Sequence, residues 1–390
     1  MADRGRWTDA KLDPMRDVGD KPADDIAASV LAGSELEHVN DIFRTLVRTN
    51  QPVPRELPDD MEQFLNTTIE LPRWAKPDRI ARAQSFFQIW GVHITTCLFC
   101  ASLPSAYAAG KGVRVLAYTG RLQKDAKRRV LETGQFLMDV LTPGGLEDTG
   151  NGRRTIQHVR LMHAAIRQSI EKERLRNPAS WDPHWGTPIN QEDLAGTLLS
   201  FAYVPAEPLR KLGIEVSRRT QEDYLHLWKV VGEMLGVLPE MRIHDMDDAT
   251  QLVNAIRERQ YEATEEGKEL TAALIELVQT LTPGPLDDPF VPTLMRYLIG
   301  NDVAAMIDVP TVTPPLVRFV PRWMGRVFGR GERLVDRSER LQRLVEPIGR
   351  ELLDNAFRMV RGGTRPAFDI PAALATPWAM PKAVPTGVQP

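Results

Sequence analysis

The amino-acid sequence predicts an all-α protein. Nearly every periodic segment spaces its apolar residues as a helix does, and strand patterning is confined to one short candidate, GVRVLAY (112–118). Helix punctuation adds a third signal. Asn190-Gln-Glu-Asp193 reads as a helix start ahead of LAGTLLSFAY, and Thr220-Gln-Glu-Asp223 reads as a capping box opening YLHLWKVVGEML, which Gly236 ends. Taken in chain order, residues 1–30 are polar and read as a loose N-terminal segment. Helices then follow at about 35–48, 78–102, 122–141, 156–175, the two capped segments just named, 247–281, 290–306 and 333–360. From 362 to 390 the chain is rich in proline and poor in charge, the composition of an extended tail. No linker divides 31–361, which reads as one helical domain, and no repeat of fixed period stands out.

Composition narrows the function. With 390 residues, 42% hydrophobic and 26% charged, the chain can bury a large core. The 49 basic and 52 acidic residues leave a formal net charge of -3, with no bulk attraction to nucleic acid. Two cysteines cannot make a disulfide framework, and the start MADRGRWTDAKLDP lacks the charged-then-apolar pattern of a signal peptide, so a cytoplasmic protein is expected. The longest apolar run, SFFQIWGVHITTCLFCASL (85–103), approaches the length of a membrane span. Gln88, His93, Thr95 and Thr96 interrupt it and no lysine block flanks it, which favours a buried core helix and no transmembrane segment. Residues 316–345 alternate arginines with large apolar side chains, the pattern of an amphipathic packing helix or of a peripheral membrane contact and entrance for a greasy substrate.

The candidate chemistry lies in two helices joined by TPGGLEDTGNG. In VRLMHAAIRQSIEK (159–172), Val159, Met162, Ile166 and Ile170 share a face, and His163 lies between that seam and Arg160 and Arg167. In KRRVLETGQFLMDVL (127–141), Arg129, Thr133, Phe136 and Val140 form one row, polar at one end and apolar at the other. Taken singly, each has a structural reading: a satisfied core histidine, a threonine bonded back to the carbonyl of residue 129, and an arginine reaching to water. Together they place one imidazole and an Arg/Thr pair on walls of a shared, mostly apolar cavity. Haem suits such a cavity, needing one axial nitrogen, apolar walls, and cations such as Arg160, Arg167 and Arg129 for its propionates. Cys100 is followed by Ala101, so no Cys-x-x-Cys-His attachment exists and any haem is held noncovalently. Competing sites are weaker. His93, Cys97 and Cys100 share a helix face with ligand character but lack a fourth ligand, and packing as small buried thiols is the expected reading. His184 and His226, each near a tryptophan, read as loop or surface residues.

The ordered blocks ASLPSAYAAGKGVRVLAYTGRL (101–122), RRVLETGQFLMDVLTPGGL (128–146), VRLMHAAIR (159–167), GTPINQEDLAGTLLSFAY (186–203) and YLHLWKVVGEMLGV (224–237) resemble the rubber oxygenase (latex-clearing protein) catalytic-domain family. That family also includes the fungal membrane-bound oxygenase of mycophenolic acid biosynthesis. The resemblance covers about residues 70–305. It implies a globin-like helical core around a b-type haem, with further helices at the periphery. His163 would be the proximal iron ligand, and Arg129 and Thr133 the haem-pocket pair. Two departures stand out. Rubber-cleaving members carry a lysine just before that threonine, able to cap the iron, where this chain has Glu132; their proposed catalytic base falls near Val113, which cannot take a proton. The haem site therefore carries over better than polyisoprene cleavage does.

The expected activity is a haem-dependent oxygenase that uses O2, and an electron donor where the chemistry needs one, on a lipophilic small molecule of isoprenoid or polyketide type. Arg129 and Thr133 take the catalytic positions; His163, Arg129, Thr133, Arg160 and Arg167 hold the cofactor. The readings from other classes are a haem sensor or carrier and a helical interaction protein in which His163 is structural.

Overall fold

The computed structural model describes residues 3–33, 36–118, 122–204, 206–281 and 289–311. These form helices α1 (Asp9–Leu12), α2 (Lys21–Gly33), α3 (Leu36–Thr45), α4 (Asp59–Thr67), α5 (Pro77–Cys97), α6 (Leu103–Tyr107), α7 (Gly110–Tyr118), α8 (Leu122–Leu141), α9 (Gly152–Arg176) and α10 (Gln191–Ala202), followed by α11 (Glu207–Lys211), α12 (Arg218–Met234), α13 (Met246–Gln260), α14 (Glu265–Leu281), α15 (Phe290–Ile299) and α16 (Asn301–Met306). Among the described residues there is no strand, only an isolated antiparallel bridge between Ala109 and Tyr261. The strand candidate 112–118 is helical, lying within α7: Val113 packs in the larger apolar cluster and Val115 in the smaller, on opposite sides of the helix, and burial between the two outweighs the β-propensity of the valines. The 333–360 helix, the 316–345 segment and the proline-rich tail lie outside the described residues.

Local chemistry sets the boundaries. α5 opens with Pro77 in its first turn after an extended Lys76, and continues through a wider π-type turn, Leu98–Ser102, into α6. Asn190 caps α10 as its pattern predicts, its side chain accepting from the Asp193 N–H at 3.0 Å. The α12 cap is Ser217 rather than Thr220: the Ser217 Oγ accepts from the Thr220 N–H, which starts the helix three residues earlier than the capping-box reading. α12 does end at Gly236, whose φ of +90° lets the Val237 N–H reach the Gly232 carbonyl and the Gly236 N–H reach that of Glu233. The expected helix over 247–281 breaks between α13 and α14, and that over 290–306 breaks at Gly300, also at positive φ.

Two apolar clusters organise the helices. The larger joins the inner faces of α5, α8, α12, α13, α14 and α15, with Tyr224 and Trp228 fully buried at its centre. α5 packs along α12, so its apolar run is a core helix. The run Pro77–Tyr107 is long and apolar enough to cross a membrane, but most of it is buried inside the fold. The smaller cluster joins α2, α3 and α4 to one side of α9 through Leu161, Ala164, Ile166 and Ile170. α9 thus serves both clusters. The apolar seam expected on this helix splits: Val159 packs on the larger cluster, while Met162, Ile166 and Ile170 belong with the smaller.

The N-terminal segment is not loose. Trp7 is 0% exposed, and its indole Nε1 donates to the Asp248 carboxylate at 2.8 Å. Arg6 and Lys11 lie over the same indole at 4.1 and 4.4 Å. Arg16, also buried, meets Glu192 and Asp193, and Arg259 donates to Glu192 from α13 at 3.0 Å. The polar composition that suggests a loose segment is spent on buried ion pairs. Trp7→Ala is therefore expected to destabilise the whole chain by about 3–5 kcal/mol. Denaturant unfolding followed by helical circular dichroism should show a lower midpoint; an unchanged midpoint would mean the segment is not part of the cooperative fold.

Candidate active site on the α8–α9 hairpin

α8 and α9 pack on each other and are joined by a tight turn. At Gly145 a Cβ would strike the Asp139 carbonyl oxygen, and at Gly150 the Gly144 and Gly145 carbonyl oxygens, so only glycine lets the two helix ends approach this closely. From Thr133 to the end of α8 the axis rises roughly 12 Å, and from the start of α9 to His163 roughly 16 Å, at 1.5 Å per residue. His163 therefore stands level with the stretch between Thr133 and Arg129. The fold sets the predicted imidazole and the predicted Arg/Thr pair at the same level on the two arms of one hairpin.

Each of these residues has a defined environment. His163 keeps some exposure, yet its Nδ1 is shut off from solvent and makes no hydrogen bond. Burial, and after it the Arg167 cation, push the imidazole down to about 4, with Asp20 pulling the other way, so it is neutral at physiological pH. Thr133 is half-buried and its hydroxyl donates to the Arg129 carbonyl at 2.8 Å. The Arg129 guanidinium donates to the Leu116 carbonyl at 2.7 Å, which ties α8 to α7. Beside it lies Tyr107, buried at the end of α6. Burial raises the hydroxyl of Tyr107 to about 12, against the pull of Arg129. Glu132 turns to Arg128, whose Nε donates to its carboxylate at 2.8 Å. Val113, at the position of the missing base, is buried among apolar side chains.

Arg160 and Arg167 hold carboxylates. Arg160 donates to Asp20 and Arg167 to Asp24, so the two cations expected to face propionates are already charge-paired with the segment leading into α2. Sequence reading misses Asp20 and Asp24 because no local pattern links two aspartates to a helix 140 residues away. Of the other histidines, His184 is exposed and held by Asp182, as expected of a loop residue. His226 departs from the surface reading: it is buried on α12, and its Nε2 accepts the Lys76 N–H at 2.9 Å, satisfying a donor at the start of α5. Cys97 and Cys100 are buried free thiols in the core, and burial pushes both up, Cys100 to about 12, so neither offers a thiolate. Among the described residues no group of three His, Cys, Asp or Glu is arranged to hold a metal ion.

An all-helical fold in which a neutral histidine on one helix stands level with an Arg/Thr pair on the next is the arrangement expected of a helical oxygenase-type catalytic domain. Comparison with known proteins agrees. Residues 90–359 match the family described as ER-bound oxygenase mpaB/B′/rubber oxygenase, catalytic domain, and the chain belongs to that family. It is 28% identical over 295 residues to the rubber oxygenase of Streptomyces sp. (strain K30), covering 75% of this chain and 71% of that protein. It is also similar to the solved structure of latex clearing protein LCP in the closed state, with a TM-score of 0.76 and 25% identity, covering 91% of this chain and 94% of that one. The chain is accordingly an oxygenase, which removes the reading as a purely structural interaction protein.

His226 gives a test of the framework around this site. Burial, then the cations Arg79 and Lys229, push its imidazole from 6.5 down to about 4. A histidine held neutral when folded contributes stability that is full above its unfolded value and is lost as pH falls from about 6.5 toward 4. His226→Gln, which keeps an acceptor for the Lys76 N–H, should lose less stability across that window than the parent. Equal losses in chemical denaturation at pH 7, 5.5 and 4.5 would show that His226 is not the buried neutral group the structure describes.

Proposed function

We propose that the chain is a cytoplasmic, haem b-dependent oxygenase acting on a lipophilic small molecule of isoprenoid or polyketide type. The observation that carries the reading is His163: a neutral, half-buried imidazole on α9, level with Arg129 and Thr133 on α8, with a buried nitrogen unmatched by any protein donor or acceptor. Such a group costs about 1–3 kcal/mol unless it serves something, and an axial ligand must be neutral to donate its lone pair. The residues present fit a noncovalent haem. His163 would hold its iron, and Arg129 and Thr133 would meet it from α8. With Arg160 and Arg167 committed to Asp20 and Asp24, a role for them at the propionates would require exchanging those partners.

Haem, when bound, supplies activation of dioxygen. The chain's own residues do the rest. The Thr133 hydroxyl donates to the Arg129 carbonyl, and a rotation of χ1 turns the same proton toward an oxygen atom on the α9 side. The Arg129 guanidinium donates to the Leu116 carbonyl and so holds the α7 backbone against α8. Phe136 and Val140, further along the row, are buried and exclude water from the space next to Thr133. With Glu132 anchored on Arg128 and Val113 unable to accept a proton, no basic side chain occupies the positions that rubber-cleaving relatives use. Substrate shape then directs the reaction, and a small hydrophobic molecule is favoured over polyisoprene. An external electron donor completes the cycle where the chemistry needs one.

Purified protein supplied with haem should show a Soret band, and should consume O2 steadily with a reductant and a lipophilic substrate. A colourless protein removes the haem reading; a coloured one without turnover points to a carrier. His163→Ala should stay helical and bind little haem, since the axial nitrogen is lost while apolar packing remains; parental haem content in that variant would exclude His163 as the ligand. Glu132→Lys should shift the ferric spectrum toward a six-coordinate, nitrogen-ligated form and slow the binding of cyanide or imidazole, which the parent should take up readily. A parent already showing a bis-nitrogen spectrum resistant to added ligands would mean that another side chain caps the iron.

A further inference from the structure

The stretch of α9 that carries His163 is held by residues outside the family-matched region, which begins at residue 90. Arg160, one turn before His163, donates through Nε and Nη2 to the two Asp20 oxygens at 2.6 and 2.8 Å. Arg167, one turn after it, donates through Nε to Asp24 at 2.7 Å and through Nη1 to the Ile189 carbonyl at 2.7 Å. These ion pairs are shielded: the side chains are 11% and 4% exposed for Arg160 and Asp20, and 3% and 15% for Arg167 and Asp24. Ile189 sits at φ +51°, a left-handed conformation that costs a β-branched residue roughly 1–3 kcal/mol and persists only where its surroundings demand it.

The aspartates are themselves fixed. Asp24 accepts the Asp20 N–H, closing the turn into α2. Gln191, 0% exposed, donates to the Gly19 and Gly236 carbonyls, accepts the Leu238 N–H, and gives its own N–H to the Val18 carbonyl. One fully satisfied glutamine thus ties the turn to α10 and to the end of α12. At Gly236 a Cβ would overlap the Asp20 carboxylate and approach the Arg160 Nε at 3.0 Å, so the end of α12 closes directly on the Asp20–Arg160 pair.

We propose that residues 18–24 are a strap whose carboxylates, Asp20 and Asp24, are positioning residues for His163, acting through Arg160 and Arg167 to fix the rotation and register of the α9 turns that carry it. The proposal rests on the haem reading above. Removing one partner of a buried pair leaves an uncompensated charge, which is far costlier than losing both. The variants separate these effects. In the full chain supplied with haem, Asp20→Asn and Asp24→Asn should lose haem to excess apomyoglobin roughly 10–100-fold faster than the parent, the usual reach of residues that orient an iron ligand. In the same proteins without haem, amide hydrogen exchange over 158–168 should speed up. Asp20→Asn/Arg160→Gln carries no uncompensated charge, so it should fold where the single variants fail and still lose haem faster. Asp248→Asn, which frees the Trp7 end of the same segment, should lower the thermal midpoint and leave haem loss unchanged. Parental haem loss and exchange in the folded strap variants, or equal acceleration by Asp248→Asn, would overturn the strap. A parent that takes up no haem defeats the proposed function instead, and exchange over 158–168 then decides the strap by itself.

Discussion

A buried cation must meet an anion, and in this protein that requirement governs how the helices are assembled. Arg160 and Arg167 project from α9, the helix that both apolar clusters share, into surroundings that leave little solvent to screen them. Left alone, either charge would be several kcal/mol unfavourable. Asp20 and Asp24 neutralise them, and so the turn before α2 must dock on α9 for the helix to be buried at all. The same constraint operates at Glu192, which sits 1% exposed beneath Arg16 and Arg259 and draws the N-terminal segment onto α10 and α13. Apolar burial supplies the driving force; the ion pairs decide which surfaces it may join.

The hairpin of α8 and α9 divides the work of the site. α9 offers one neutral nitrogen, kept neutral by burial and by a neighbouring cation whose own charge is balanced elsewhere. α8 offers a hydroxyl and a guanidinium on a row that continues into buried aromatic and aliphatic side chains. Family membership supplies the class of reaction.

Helix spacing in the sequence determined the fold class and the extent of α8, α9 and α10, because 3.6-residue periodicity and caps such as Asn190 act within a single turn. It also singled out His163, Arg129 and Thr133 as the candidates for chemistry, since each departs from an otherwise apolar face. Tertiary structure alone decided the rest. The valines of 112–118 became helical because their burial face is set by distant neighbours. His226 was drawn inward to satisfy the start of α5. A polar N-terminal segment became part of the core, because a pairing such as Asp20 with Arg160 spans 140 residues and is selected by desolvation, which no short window of sequence expresses.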